Sequence, residues 1–463
     1  MVIKKSIALF KEALRSEERD YTRGSLRVSL FLLAIPMIFE MVMESLFAIV
    51  DTFFVSRIST EAVATIGITE SILMIIESVA IGISIAGTAL IARRVGEKKI
   101  EEARKVVFNV IVVGIVFAVI VGVFCFVYAS DILRWMGSEP ELIAQGKGYT
   151  SIILGFNIFL VMLFVINGVF RGAGNAAIAM RTLWLANGLN IVLDPLLIFG
   201  LGPIPGMGLE GAAIATCIGR GSGVVYQWLH LYGGKSGISI TLKDFKLSGI
   251  TIRKIISLTS GAAGQFLIST ASWIFLVRII NYFGSAAVAG YTIAIRIIIF
   301  SILPSWGLSN AVATLTGQNL GAGKPDRAER TVWMAGRYNM YFLIVMGIVF
   351  FIFAYSLTGV FTQDKEVMKY GAQALKILCT GYIFYAYQMV IGQAFNGAGD
   401  TRTPALLNVI ALWCIQIPMA YFLSVVWQWG PNGVFVSIAF SNAILAALGI
   451  WVFTMGMWKN KIV

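Results

Sequence analysis

Six carboxylates lie within stretches that are otherwise apolar: Glu40, Glu44 and Asp51, then Glu70 and Glu77, then Asp194. A charged group at the centre of a membrane helix costs about 2.5–3.5 kcal/mol on an insertion scale, so each needs a partner or a task. Glu40, Glu44 and Asp51 fall close to one helical face at 3.6 residues per turn. Asn190 stands four residues before Asp194 and shares its face. Pro195 follows at once and leaves the Ile191 carbonyl without its helical donor, as Pro36 does for Leu32, which makes both helices candidates for bending. Asp51, Asp194, the Asn190 amide and the Thr216 hydroxyl offer the oxygen set that a hard cation prefers. The two carboxylates would equally hold protons, because burial and pairing both favour the neutral acid. An internally hydrogen-bonded cluster that fixes helix contacts is the plainer use of the same atoms, and Glu70 and Glu77 suit it best.

These residues need membrane helices to position them. The chain has 463 residues, 58% hydrophobic and 13% charged, against roughly 45–50% and about 25% in soluble domains. Runs such as Val106 to Val127 and Thr403 to Val426 exceed the roughly 18 residues that mark a bilayer span, and they show none of the alternation of a barrel strand. Twelve spans are expected, at 29–56, 62–92, 107–128, 148–169, 178–200, 208–231, 255–283, 287–316, 332–355, 372–395, 403–427 and 433–457. The N-terminus, the even-numbered loops and the C-terminus carry about five times as many Lys and Arg as the odd-numbered loops. That bias places both termini in the cytoplasm of a cell-membrane protein and accounts for the net charge of +12 without nucleic acid.

Cys125, Cys217, Cys379 and Cys414 sit in apolar runs without metal-ligand spacing, so neither a disulfide framework nor a zinc site is expected. His230, near a span end, reads as interfacial. Residues 1–25 lack the apolar core of a cleavable signal. Ile3, Ile7, Phe10 and Leu14 form a stripe there beside lysines, fitting a short helix on the cytoplasmic membrane surface.

A shift of 225 residues superimposes the two halves of the chain. Ala62-Val63-Ala64 meets Ala287-Val288-Ala289, Gly96, Lys99 and Ala103 meet Gly321, Lys324 and Ala328, and Phe170, Gly172 and Gly174 meet Phe395, Gly397 and Gly399. Six spans per copy keep one orientation, so the halves are related by a pseudo-twofold axis along the membrane normal. The expected fold is an all-α membrane protein: an N-lobe over 26–232 and a C-lobe over 251–463, joined by a cytoplasmic linker over 233–250. Two such bundles rocking about a cleft transport a solute by alternating access. No phosphate-binding loop of the G-x-x-x-x-G-K-S/T type occurs, and no Ser/His, Cys/His or metal constellation supports an enzyme. Asp51, Asn190 and Asp194 fall on Leu276, Ile415 and Met419 of the second half, so carboxylate-based coupling belongs to the first. Arg278, Arg296, Arg337 and Lys376 in or near the later spans read as snorkelling cations.

At these residues the chain resembles the multidrug and toxic compound extrusion (MATE) family over nearly its whole length. Val50-Asp51-Thr52 after Pro36 is similar to the family's V-D-T segment, and Leu189 to Pro195 to its L-N-x-x-x-D-P segment. Arg171 to Asn175 and Asn396 to Asp400 resemble its short glycine loops. The resemblance implies a monomeric antiporter expelling small organic, commonly cationic, compounds in exchange for Na+ or H+, with no other cofactor. The absence of acids from the later spans is similar to the prokaryotic branch with its cation site in the N-lobe. Carried over, Asp51, Asn190, Asp194 and Thr216 would bind the ion, and Tyr149 and Asn167 would line the cavity together with Phe47, Glu40 and Glu44. Glu44 stands where relatives commonly have glutamine and Glu40 is a further unexpected charge; a more acidic cavity favours cationic substrates. The alternative function is a flippase for a lipid-linked precursor, which would want cationic side chains at its site.

Overall fold

The computed structural model describes residues 2–15, 19–55, 57–203, 205–233 and 238–461. Helix follows helix through them, with no strand among the described elements. Continuous apolar sequence leaves the backbone only its own carbonyls to bond, which is why the spans are helices. Spans one to five are Leu26–Val55, Thr60–Gly96, Ile100–Val127, Pro140–Ala173 with a break at Phe156, and Ala176–Phe199. Spans seven to nine are Gly249–Asn281, Ser285–Gly321 and Pro325–Ile352. Span ten is the pair Lys365–Thr380 and Tyr382–Gly397, bent by 59°. Spans eleven and twelve are Arg402–Val426 and Pro431–Thr454. Ten of these helices are long and apolar enough to cross a membrane alone, and the bent pair makes eleven. Gly208–Tyr232 completes the expected twelve in length but falls short in apolarity, since it carries Glu210, Arg220 and several glycines. It lies against span five, where Gly219 and Gly223 admit Ala186 and the base of Asn190.

Span eleven departs from a regular α-helix. Val409–Gln416 and Phe422–Val426 are π-helical on either side of Ile417–Tyr421, which contains Pro418. Proline removes a donor, and the wider turn re-pairs the carbonyls around it.

The halves meet with the symmetry of the repeat. Span one packs on span eight and span two on span seven. A Cβ on Gly96 would collide with the carbonyl of Gln318, and one on Gly321 with the carbonyl of Arg93; both pairs are related by the same shift of 225. Deeper in, Gly307 touches the backbone of Met37 and Ile38, and Gly82 that of Thr259 and Ala263. The lobes are therefore pressed backbone to backbone at the end that carries both termini, where only glycine fits.

The same end is strapped by the terminal segments. Val2–Ala13 is helical, as the apolar stripe suggests, and its Phe10 ring stands edge-on to Phe39 of span one at 5.9 Å. Arg181 of span five donates to the Leu14 carbonyl, so this helix packs across spans one and five. The Ile3 side chain lies outside the described residues, as do residues 234–237 of the linker. At the other terminus Trp458, 1% exposed, stacks on Phe453 at 4.7 Å, and Arg93 of span two donates to the Lys461 carbonyl at 2.8 Å.

Candidate ion and substrate site

Span five delivers Asn190 and Asp194 one turn apart, and the close approach at Gly219 brings Thr216 of span six beside them. The Asn190 amide donates from Nδ2 to Asp194 Oδ1 and to Thr216 Oγ1, both at 3.2 Å. All three are buried, Asp194 completely. Asp194 Oδ2 and Asn190 Oδ1 have no hydrogen-bond partner. Two orphan acceptor oxygens in a buried site cost the desolvation of each unless something positive meets them. Asp51, half-buried on span one, stands close enough for its charge to act on Asp194. Two carboxylates, an amide and a hydroxyl suit a loosely held monovalent cation or a proton; divalent cations take more ligands and hold them harder.

The other residues singled out from the sequence divide into two groups. Glu44, half-buried, accepts from Asn187 at 3.2 Å and faces a cavity of about 310 Å³ between the lobes. Glu77 and Arg171 share that cavity with Trp306, Asn310 and Gln393 of the C-lobe. Glu40 and Asn167 are each only 1% exposed and sit inside the N-lobe, where Asn167 donates to Glu40 Oε1 at 3.2 Å and receives Gln227 Nε2 at 2.7 Å. Tyr149 is buried at the start of span four, within electrostatic reach of Asp51, Glu70 and Asp194. Phe47 is half-buried. Pro36 lies in span one directly before the Met37 and Ile38 backbone that Gly307 of the C-lobe touches.

The family model MatE matches residues 36–196 and again 262–422, one match in each half of the repeat. The chain belongs to the MATE family. A probable multidrug resistance protein, NorM of Thermotoga maritima, is 27% identical over 98% of this chain and 97% of its own length. Two solved MATE structures share the fold at 25% identity with a TM-score of 0.90, each over 96% of this chain. One, bound to MaL6, is covered over 100% of its length, and the other, an outward-facing multidrug resistance transporter, over 99%. The protein is thus a multi-pass membrane transporter of the multidrug-efflux class, built as two six-helix bundles.

One member of this MATE site was not singled out in the sequence. Arg220 of span six is half-buried and acts on Asp51, Glu70 and Glu77 together. A scan of the early spans for cations, like the one for acids, exposes it. Arg296 of span eight also lies within electrostatic range of Glu70. The polar site of this MATE protein therefore carries both signs of charge.

Proposed function

We propose that this chain is a cation-coupled antiporter that expels small organic compounds, chiefly cationic ones, in exchange for H+ or Na+. Its basic, terminus-bearing end faces the cytoplasm of the cell membrane, and a single copy is the transporting unit. The observation that carries this reading is the buried set Asn190, Asp194 and Thr216, with two orphan oxygens and the charge of Asp51 within reach, in a lobe whose C-terminal counterpart has no carboxylate in the apolar runs 255–283, 287–316, 332–355, 372–395, 403–427 and 433–457. Glu44 and Glu77 in the central cavity supply the attraction for a cationic substrate. An ion moves the equilibrium between two states only by binding one of them better, and a set shared by spans one and five responds to their separation. The closed terminal end and the family's outward-facing relative support an outward-open state here.

Purified protein in liposomes, loaded with a fluorescent organic cation and given proton and Na+ gradients separately, tests it. Uptake or release driven by one gradient is expected, and Asp194→Asn or Asp51→Asn should abolish it with normal insertion. Asn-substituted protein transporting at the parental rate would refute the coupling site.

A further inference from the structure

Glu40 and Arg171 form an ion pair inside the N-lobe, 3.9 Å apart, with side chains only 2% and 12% exposed. The shift of 225 carries Glu40 onto Gln265 and Arg171 onto Asn396. These two also touch: Gln265 Nε2 donates to Asn396 Oδ1 at 3.0 Å and to the Thr401 carbonyl at 3.0 Å. The same two helices are tied at the same place in each lobe, once by charges and once by amides. Holding them together therefore needs no charge. Burying an ion pair forfeits more solvation than burying two amides, so the charge at Glu40 and Arg171 calls for another role.

The surroundings of the pair suggest what that role is. Glu40 Oε1 takes its hydrogen bond from Asn167, while Glu40 Oε2 and Arg171 Nε have no partner. Arg171 Nη2 donates to Ser84 at 3.3 Å, and its side chain lines the cavity between the lobes beside Glu44 and Glu77. Its carbonyl accepts from Thr314 of span eight at 3.0 Å. Arg171 thus pairs with a sealed carboxylate while sharing a cavity with two others, Glu44 and Glu77. The charged groups acting on Glu40 are Arg171 from span four and Glu44 from its own helix. Span two presents Glu77 towards Glu44, span five the amide of Asn187, span six the amide of Gln227, span eight the neutral Asn310 and Thr314, and the N-terminal helix the ring of Phe10.

We infer that Glu40 is a second proton-accepting site of the transport cycle, and that it sets whether Arg171 competes with a cationic substrate for Glu44 and Glu77. With Glu40 ionised, Arg171 is held by it and the cavity carboxylates are free for the substrate. When the pair parts enough to admit water from the cavity, a hydronium ion gives up one O–H proton to Glu40 Oε2 and leaves as water, and Glu40 becomes a neutral acid; no electrons move. Arg171 then has no anion behind it, turns to Glu44 and Glu77, and displaces the bound cation. Loss of that proton to water, when the cavity next opens on the other side, restores the pair. The inference rests on the antiporter reading for its direction, and it adds a site distinct from Asp51, Asn190 and Asp194.

Single and double substitutions separate this from a structural pair. Binding of ethidium to purified protein in detergent is measured at pH 7.5, beside the melting temperature of each variant. Glu40→Gln leaves Arg171 free at all times and should weaken ethidium binding at least fivefold. Arg171→Asn removes the competitor and should bind at least as tightly as the parent. The double variant Glu40→Gln with Arg171→Asn copies the amide pair of the C-lobe, so it should fold and recover the affinity lost in Glu40→Gln alone. It should also lose the part of acid-induced ethidium release that survives in an Asp51→Asn, Asp194→Asn background. Parental affinity in Glu40→Gln, or a double variant as weak as Glu40→Gln, overturns the inference. A parent protein that neither binds nor carries any organic cation sinks the antiporter reading first and this inference with it.

Discussion

Asn190 is the residue on which the proposed ion site turns, because one amide nitrogen serves both Asp194 and Thr216. Thr216→Val keeps the shape of the side chain and removes one acceptor. About 1 kcal/mol of stability should be lost, as for a typical neutral hydrogen bond, seen as a small fall in melting temperature. Coupled transport should fall much further if the hydroxyl serves as one of the ion's ligands, as proposed above. Arg220 is a different case, since it acts on three carboxylates at once. Arg220→Ala leaves these acids without their cation and should lower the melting temperature. Arg220→Lys should recover most of the stability in the same thermal measurement.

The helices carry predictions of their own. Span one runs helical through Pro36, and the C-lobe backbone abuts it just beyond, at Met37 and Ile38. Pro36→Ala gives back the donor that the Leu32 carbonyl lacks and should stiffen this helix. Transport should slow while ligand binding and thermal stability stay level or rise, which rates and binding measured on the same protein will show. The glycine contacts at the terminal end are stricter. Gly96→Val or Gly321→Val drives a side chain into the backbone of the opposite lobe. Either should hold the lobes apart there, so that a cysteine introduced near Thr314 becomes reactive to a soluble maleimide from the terminus-bearing side. A cysteine as protected as in the parent would show that the lobes yield without opening.

At the scale of the whole molecule, the chain's C-terminus clamps the closed end. Lys459 bonds Glu329 at 2.6 Å and lies 3.7 Å from Asp326, both in the charged stretch 325–331 that precedes the apolar, membrane-spanning part of span nine, while Trp458 is sealed against Phe453. The Lys459 bond holds the Glu329 carboxyl below its ordinary value of 4.5, and the Glu329 bond holds the Lys459 amine above its ordinary 10.5. Glu329 therefore contributes stability that is complete above pH 4.5 and lost as the pH falls through its lowered value. Lys459 contributes stability that is complete below pH 10.5 and lost as the pH rises through its raised value. The clamp should hold across the neutral range and loosen only at the two extremes, by no more than about 1 kcal/mol for so exposed a pair. Trp458→Ala should cost more, about 3–5 kcal/mol, because a large ring leaves a sealed site. Hydrogen exchange of residues 450–461 across pH reads both effects.

Sequence by itself determined the spans, the repeat and the acids, because each is a local or a periodic property. A bilayer span is legible from composition, and the shift of 225 residues located the helix equivalences before any contact was known. Pairing Asn190 with Asp194 needed only helical spacing. Bringing Thr216 to them needed the packing of two helices at Gly219, and putting Asp51 within electrostatic reach of Asp194 needed the packing of span one on span five. Glu40 and Glu44 look alike in sequence, one turn apart, yet tertiary structure seals the first against Arg171 and opens the second to the cavity. Single-span hydropathy undercounted Gly208–Tyr232, whose glycines and charge serve neighbouring helices rather than lipid. What a helix faces is decided by its neighbours, and a sequence of mostly apolar spans gives little sign of which neighbour will come.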